Sequence, residues 1–117
     1  MISYKPAKEK GKAMPGVDFD KIRNEITMEQ VLDLIGFEPT SQRGEEWYGW
    51  CPLLDCMSQE RPPFSVNVGM QVYYCHECQS KGNQIHLWAA FTQMLVYPAA
   101  IDLCRSLGRE VPWTWRW

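Results

Sequence analysis

Two pairs of closely spaced cysteines constrain this chain more than any other feature in it. Cys51 and Cys56 are separated by four residues, Cys75 and Cys78 by two, and eighteen residues lie between the pairs. Zinc takes four soft or borderline ligands in a tetrahedron, and short turns deliver such ligands two at a time. The pattern therefore predicts one structural zinc ion held by Cys51, Cys56, Cys75 and Cys78. Four protein ligands leave no open position for a catalytic water, so the metal is expected to hold shape and to perform no hydrolysis. Two other readings of the cysteines are weaker. Four unrelated core cysteines would not pair by spacing. A redox Cys-x-x-Cys would open a helix after a strand, whereas Ser80, Lys81 and Gly82 separate Cys78 from the next helical pattern.

The segments around these pairs read as strands. WYGWCP is aromatic and runs into a turn at Pro52, and PFSVNV and QVYYC both have strand character. Gly69-Met70 between the last two suits a two-residue hairpin with glycine first. Strands this short are marginal alone, and the metal would supply the missing brace.

Helical patterns lie on either side. Thr27 with Gln30 forms a capping-box signature, Met28, Val31, Leu32 and Ile35 fall on one helical face, and Gly36 suits the stop. Asn83 opens a second helix with Ile85, Leu87, Trp88, Phe91 and Leu95 available for its core face. Pro98 begins a third, carrying Ile101, Cys104 and Leu107 and ending at Gly108. Cys104 reads as core. The fold class expected is α+β: a zinc ribbon with a small antiparallel sheet, packed with about three helices in one domain.

The 117 residues suit a single modest core and leave no room for a nucleotide-polymerising domain as well. Net charge is -2, so global electrostatics do not announce a nucleic-acid partner. The charge is uneven. Residues 1–23 carry six Lys/Arg against three acids, and residues 24–42 carry four acids and no base. Lys5, Lys8, Lys10 and Lys12 lie in a Gly- and Pro-containing lead-in, either a soluble tail or a phosphate-contacting arm. We expect residues 1–16 to be a flexible basic arm, 17–112 the ribbon domain, and 113–117 a Trp-rich tail. Trp113, Trp115 and Trp117 alternate, which fits docking on a partner or folding back on the domain. No apolar run reaches membrane-spanning length and no signal-peptide core is present, so the expected setting is the cytoplasm, with no membrane partner.

The stretch WYGWCPLLDC…RPPFSVNVGMQVYYCHECQSKGNQIHLW resembles the CHC2-type zinc-binding domain of bacterial and phage DNA primases. Tyr48, Gly49, Cys51 and Pro52 match its pattern. So do Pro63, Phe64, Ser65 and Val66 with Ser and Phe exchanged, and then Tyr73 or Tyr74, Cys75, Cys78, Gly82, Asn83 and Ile85. AAIDLCRSLGREVP is similar to the helix that closes such domains, and the likeness covers roughly residues 27–112. The family's usual histidine ligand falls at Leu54, which cannot bind metal, and Cys56 is the substitute. The resemblance implies a zinc module that reads single-stranded DNA template and assists primer synthesis with a separate catalytic subunit. It implies no catalysis by this chain alone. The alternative is a protein-interaction adaptor built on the same ribbon, docking a replication or mobile-element partner.

Single strands bind by stacking bases on aromatic faces beside positive charge. Trp47, Tyr48, Trp50, Phe64, Tyr73 and Tyr74 are concentrated on the predicted ribbon, and Arg43, Arg61 and Lys81 flank it. The candidate DNA-binding residues are thus Arg43, Trp47, Tyr48, Arg61, Tyr73, Tyr74, His76 and Lys81. Phe64 is expected in the core. Tyr73 and Tyr74 must point to opposite faces, leaving one for stacking. Packing of all these rings in a small core is the competing possibility.

Overall fold

The computed structural model describes residues 14–54, 56 and 61–116. The arm lysines and Trp117 lie outside them. The chain runs β1 (Met14–Val17), α1 (Phe19–Glu25), α2 (Met28–Ile35), β2 (Ser41–Arg43), β3 (Glu46–Gly49), β4 (Phe64–Asn67), β5 (Val72–Cys75), β6 (Lys81–Gly82), α3 (Gln84–Thr92), α4 (Val96–Ser106) and β7 (Trp113–Arg116). Strands β2 to β6 form one antiparallel sheet in sequence order, and β1 pairs with β7 in a separate ribbon. The α+β class holds, with four helices where about three were expected.

Local chemistry fixes most helix ends. The Thr27 hydroxyl accepts from the Gln30 N–H at 3.1 Å, and the Gln30 side-chain oxygen accepts from the Thr27 N–H at 2.8 Å, completing the predicted capping box. Such a cap is worth about 1 kcal/mol. Gly36 closes α2 in the left-handed region at φ 85°, which favours glycine. At α3 the Asn83 side chain accepts from the Ile85 and His86 N–H groups, while His86 Nδ1 accepts from the Asn83 N–H. Helix α1, which the sequence pattern does not predict, is short, capped by Asp18 through the Lys21 N–H, and buries only Ile22.

Two expectations need correction. The β4–β5 hairpin has a four-residue connection, Val68–Gln71, in place of a two-residue turn. The left-handed residue is Gln71 at φ 60°, not Gly69, and its side-chain oxygen accepts from the Met28 N–H at 2.8 Å. That tie to the start of α2 sets the turn. Second, α3 ends at Thr92 with Gln93 in the left-handed conformation, so Leu95 leaves the core face and stands 78% exposed before α4. Residues 14–17 and 113–116 pair as the two strands of a separate ribbon, which brings the two ends of the described chain together.

The core is a single cluster. Phe64, Val66, Tyr73 and Cys75 enter it from the sheet. Met28, Val31, Leu32, Ile85, Leu87, Trp88, Leu103 and Cys104 enter from the helices. Each such large apolar side chain contributes roughly 1.5–3 kcal/mol by burial. Gly49 is required in β3 because a Cβ there would sit 2.7 Å from the Phe37 ring, which packs on Phe64 at 5.1 Å. Gln84 is the one buried polar side chain among the described residues, and its amide donates to the Arg23 and Ile26 carbonyls, tying α3 to the end of α1. Trp88 Nε1–H donates to Asp102 at 2.9 Å and joins α3 to α4.

Candidate metal centre and nucleic-acid face

Cys51 follows β3, Cys56 lies five residues on, Cys75 ends β5, and Cys78 closes the turn after it. The backbone makes that turn a knuckle. The Gln79 N–H donates to the Cys75 carbonyl at 2.8 Å with Gln79 in the left-handed region, and the Cys78 N–H donates to Cys75 Sγ at 3.4 Å. On the other side the Cys56 N–H donates to the Leu53 carbonyl. The four sulfurs lie within 4.8 Å of one another, with Cys56–Cys75 at 3.6 Å and Cys51–Cys78 at 3.9 Å. A tetrahedron with Zn–S bonds of about 2.3 Å places its sulfurs about 3.8 Å apart, so the donor set fits one zinc ion.

Electrostatics point the same way. Burial pushes the Cys51 thiol well above its ordinary pKa, with further upward contributions from the neighbouring sulfurs. Burial pushes Cys78 up as well. At Cys75 burial also raises the pKa, but N–H groups of Cys78 and Glu77 outweigh it and the net shift is downward. Four thiolates crowded together repel, and a dication is the counter-charge that lets all four ionise. Leu54, between the first two cysteines, turns outward and is 72% exposed. Cys104 is buried elsewhere in the core and takes no part.

The sheet has two distinct faces. Strand register places Trp47, Gly49, Phe64, Val66, Tyr73 and Cys75 on the face toward the helices. The opposite face carries a row crossing all five strands: Ser41, Tyr48, Ser65, Tyr74 and Lys81. A second row beside it runs Arg43, Glu46, Asn67 and Val72. None of these nine side chains is buried.

The candidate DNA residues divide accordingly. Tyr48, Tyr74, Lys81 and Arg43 share the open face. His76 is exposed beyond β5, its ring edge-on to Tyr74 at 4.7 Å. Arg61 is exposed on the approach to β4. Tyr73 is a correction: it is buried, stacks on Phe64 at 5.6 Å and shares a 2.7 Å hydrogen bond with the Ser80 hydroxyl, so it cannot receive a base. Trp47 lies on the helix-facing side of the sheet, half-buried against the core, and so is not part of the open face. Trp50, by contrast, is 44% exposed just before Cys51. Two polar residues of the open face, Glu46 and Asn67, belong to no motif and do not stand out in the sequence. Strand alternation through Tyr74 is the signal that could find them.

The sequence profile of the CHC2 zinc finger family matches residues 15–115. The chain belongs to that family. The DNA primase of Synechocystis sp. is 30% identical over 82 residues, 69% of this chain and 12% of that protein. The DNA primase of Buchnera aphidicola is 25% identical over 101 residues, 85% of this chain and 17% of that protein. This CHC2 zinc finger therefore spans less than a fifth of the curated relatives it matches. Its fold is shared with the crystal structure of the Aquifex aeolicus primase zinc-binding and RNA polymerase domains. The TM-score is 0.66 at 22% identity, over 82% of this chain and 23% of that one. The four-cysteine cluster is this chain's form of the family's zinc site.

Proposed function

We propose that this CHC2 zinc finger binds single-stranded DNA template across the open face of its sheet and assists primer synthesis in DNA replication beside a separate catalytic subunit. The observation that carries the reading is the row Tyr48–Ser65–Tyr74–Lys81. Two tyrosines two strands apart are separated by about 9.5–10 Å, leaving space for stacked bases, with a cation at one end. The zinc would hold the knuckle that carries His76 beside Tyr74 and would not touch the nucleic acid. With few bases on this face, binding should be weak and salt-sensitive. The proposed setting is the cytoplasm, and no single described helix is long and apolar enough to cross a membrane.

A titration of fluorescent single-stranded DNA at two salt concentrations tests this. Affinity should fall with salt, vanish on chelation, and drop by about 1–3 kcal/mol per stacked base in Tyr74→Ala. Binding that ignores Tyr48→Ala and Tyr74→Ala alike would refute the assignment of this face.

A second reading, a protein adaptor, is favoured by the exposed corner between α3 and α4, where Met94, Leu95, Val96 and Tyr97 are all more than a third exposed. In that case a catalytic partner would bind and DNA would not.

A further inference from the structure

Glu46 is an odd residue to find on a surface that meets a polyanion. It lies in the row beside the tyrosines and is half-buried. No ion pair to it forms among the described residues, although Arg43 is its register partner. Its carboxylate is instead held by an amide. Asn67 Nδ2 donates to Glu46 Oε2 at 2.8 Å, and Asn67 Oδ1 accepts from the Met70 N–H at 2.8 Å. The backbone N–H fixes which end of the amide is oxygen, so the orientation is determined. The hairpin loop thus positions Asn67, and Asn67 positions the carboxylate. Oε1 makes no hydrogen bond among the described residues, and Oε2 keeps a lone pair beyond the one Asn67 uses.

An un-neutralised carboxylate repels phosphate, so on such a face it weakens binding unless N–H donors meet it. Single-stranded bases expose their Watson–Crick edges. Guanine alone presents two adjacent, parallel donors there, N1–H and N2–H. Cytosine and adenine each present one amino group, and thymine one imide N–H. A carboxylate with two oxygens accepts the guanine pair bidentately, and charge-assisted pairs of that kind are the strong ones.

We propose that Glu46, positioned by Asn67, is a specificity-determining residue that selects a guanine in the single-stranded template, next to a base stacked on Tyr48 or Tyr74. The inference rests on the open face being the DNA-binding face. It adds a base preference that stacking alone would not give, since every base has a π-face.

The test compares the zinc-loaded chain binding oligo(dT) with the same oligonucleotide carrying one central guanine, cytosine, adenine or inosine. Inosine keeps N1–H and lacks the 2-amino group. The guanine oligonucleotide should bind best, by about 5- to 150-fold over oligo(dT), the range of one good bidentate contact. Inosine should fall between them. Glu46→Gln, with zinc content and circular dichroism unchanged, should erase the guanine preference while oligo(dT) binds as well or better, because a negative charge has gone. Asn67→Ala should reduce the preference, and Lys81→Ala should weaken all oligonucleotides alike. Equal affinity of the intact chain for all of them, or a preference that survives Glu46→Gln, would overturn the inference and leave the DNA-binding reading standing. Failure to bind any oligonucleotide would overturn both.

Discussion

Helices α2, α3 and α4 bury Met28, Val31, Ile85, Leu87, Ala99, Ala100 and Leu103 to 2% exposure or less, while all three residues of β2 are exposed and β6 is two residues long. The helical half therefore rests on apolar burial, and the far end of the sheet has little of its own to bury. Between them, β4 and β5 send Phe64, Val66, Tyr73 and Cys75 into the helical core from one face. The zinc cluster sits where the contributions meet: Cys75 is fully buried, and Cys51, Cys56 and Cys78 are half-buried beside it. A domain too small to stabilise every strand by packing fixes the last ones with metal. The two halves still share one core, so loss of the metal should be felt in the helices as well.

Perturbing each half in turn can break this division of labour. The largest effect is expected from Cys75→Ser or from a strong chelator. Metal binding in comparable small domains carries apparent free energies of about 10–16 kcal/mol, so the sheet should be lost and the helices destabilised with it, read by circular dichroism alongside zinc content. Next, Leu103→Ala removes a fully buried side chain from α4 and should cost about 2–5 kcal/mol in denaturant unfolding. Unlike Cys75→Ser, it should keep one zinc per folded chain. If Leu103→Ala instead released the metal under native conditions, the two halves would not be held by separate forces. Thr27→Ala should cost about 1 kcal/mol by removing the α2 cap, again with zinc retained.

The smallest effect is at Glu25. Hydrogen bonds from Lys21 and then Arg109 hold its carboxyl below the ordinary value of 4.5. A lowered folded-state pKa gives stability that is present above the unfolded value and lost as pH falls through the folded one. Glu25→Gln should therefore lower Tm slightly near neutral pH, and the gap to the parent chain should close in acid. A gap that widens in acid would mean the opposite sign of linkage.

Part of this architecture is legible in the amino-acid sequence and part is not, for physical reasons. The metal ligands, the Thr27–Gln30 box, the Asn83 cap and the strands around Phe64 and Tyr74 are set by residues a few positions apart, so spacing reveals them. The β1–β7 ribbon pairs Val17 with Trp113, and no local rule links residues so far apart in the chain. The α1 helix has one buried residue and hence no apolar period to read. The hairpin loop turns on Gln71 reaching the start of α2, a tertiary contact that overrides the Gly69 signal. Alternation shows that Tyr73 and Tyr74 part company but not which one faces the helices. That is decided by Tyr73 stacking on Phe64. Trp47 goes to the same side because its register partner is Val66, a pairing invisible in the sequence.

The central claim is that four thiolates converge on one zinc ion and that the sheet depends on it. Metal quantification on the purified chain, coupled to a thiol-labelling count in the native state, tests it most directly. The account predicts one zinc per chain, with Cys51, Cys56, Cys75 and Cys78 protected until a chelator is added, and loss of strand signal at that moment. A metal-free chain that keeps its sheet, or a zinc that stays bound after Cys56→Ser with full affinity, would contradict it.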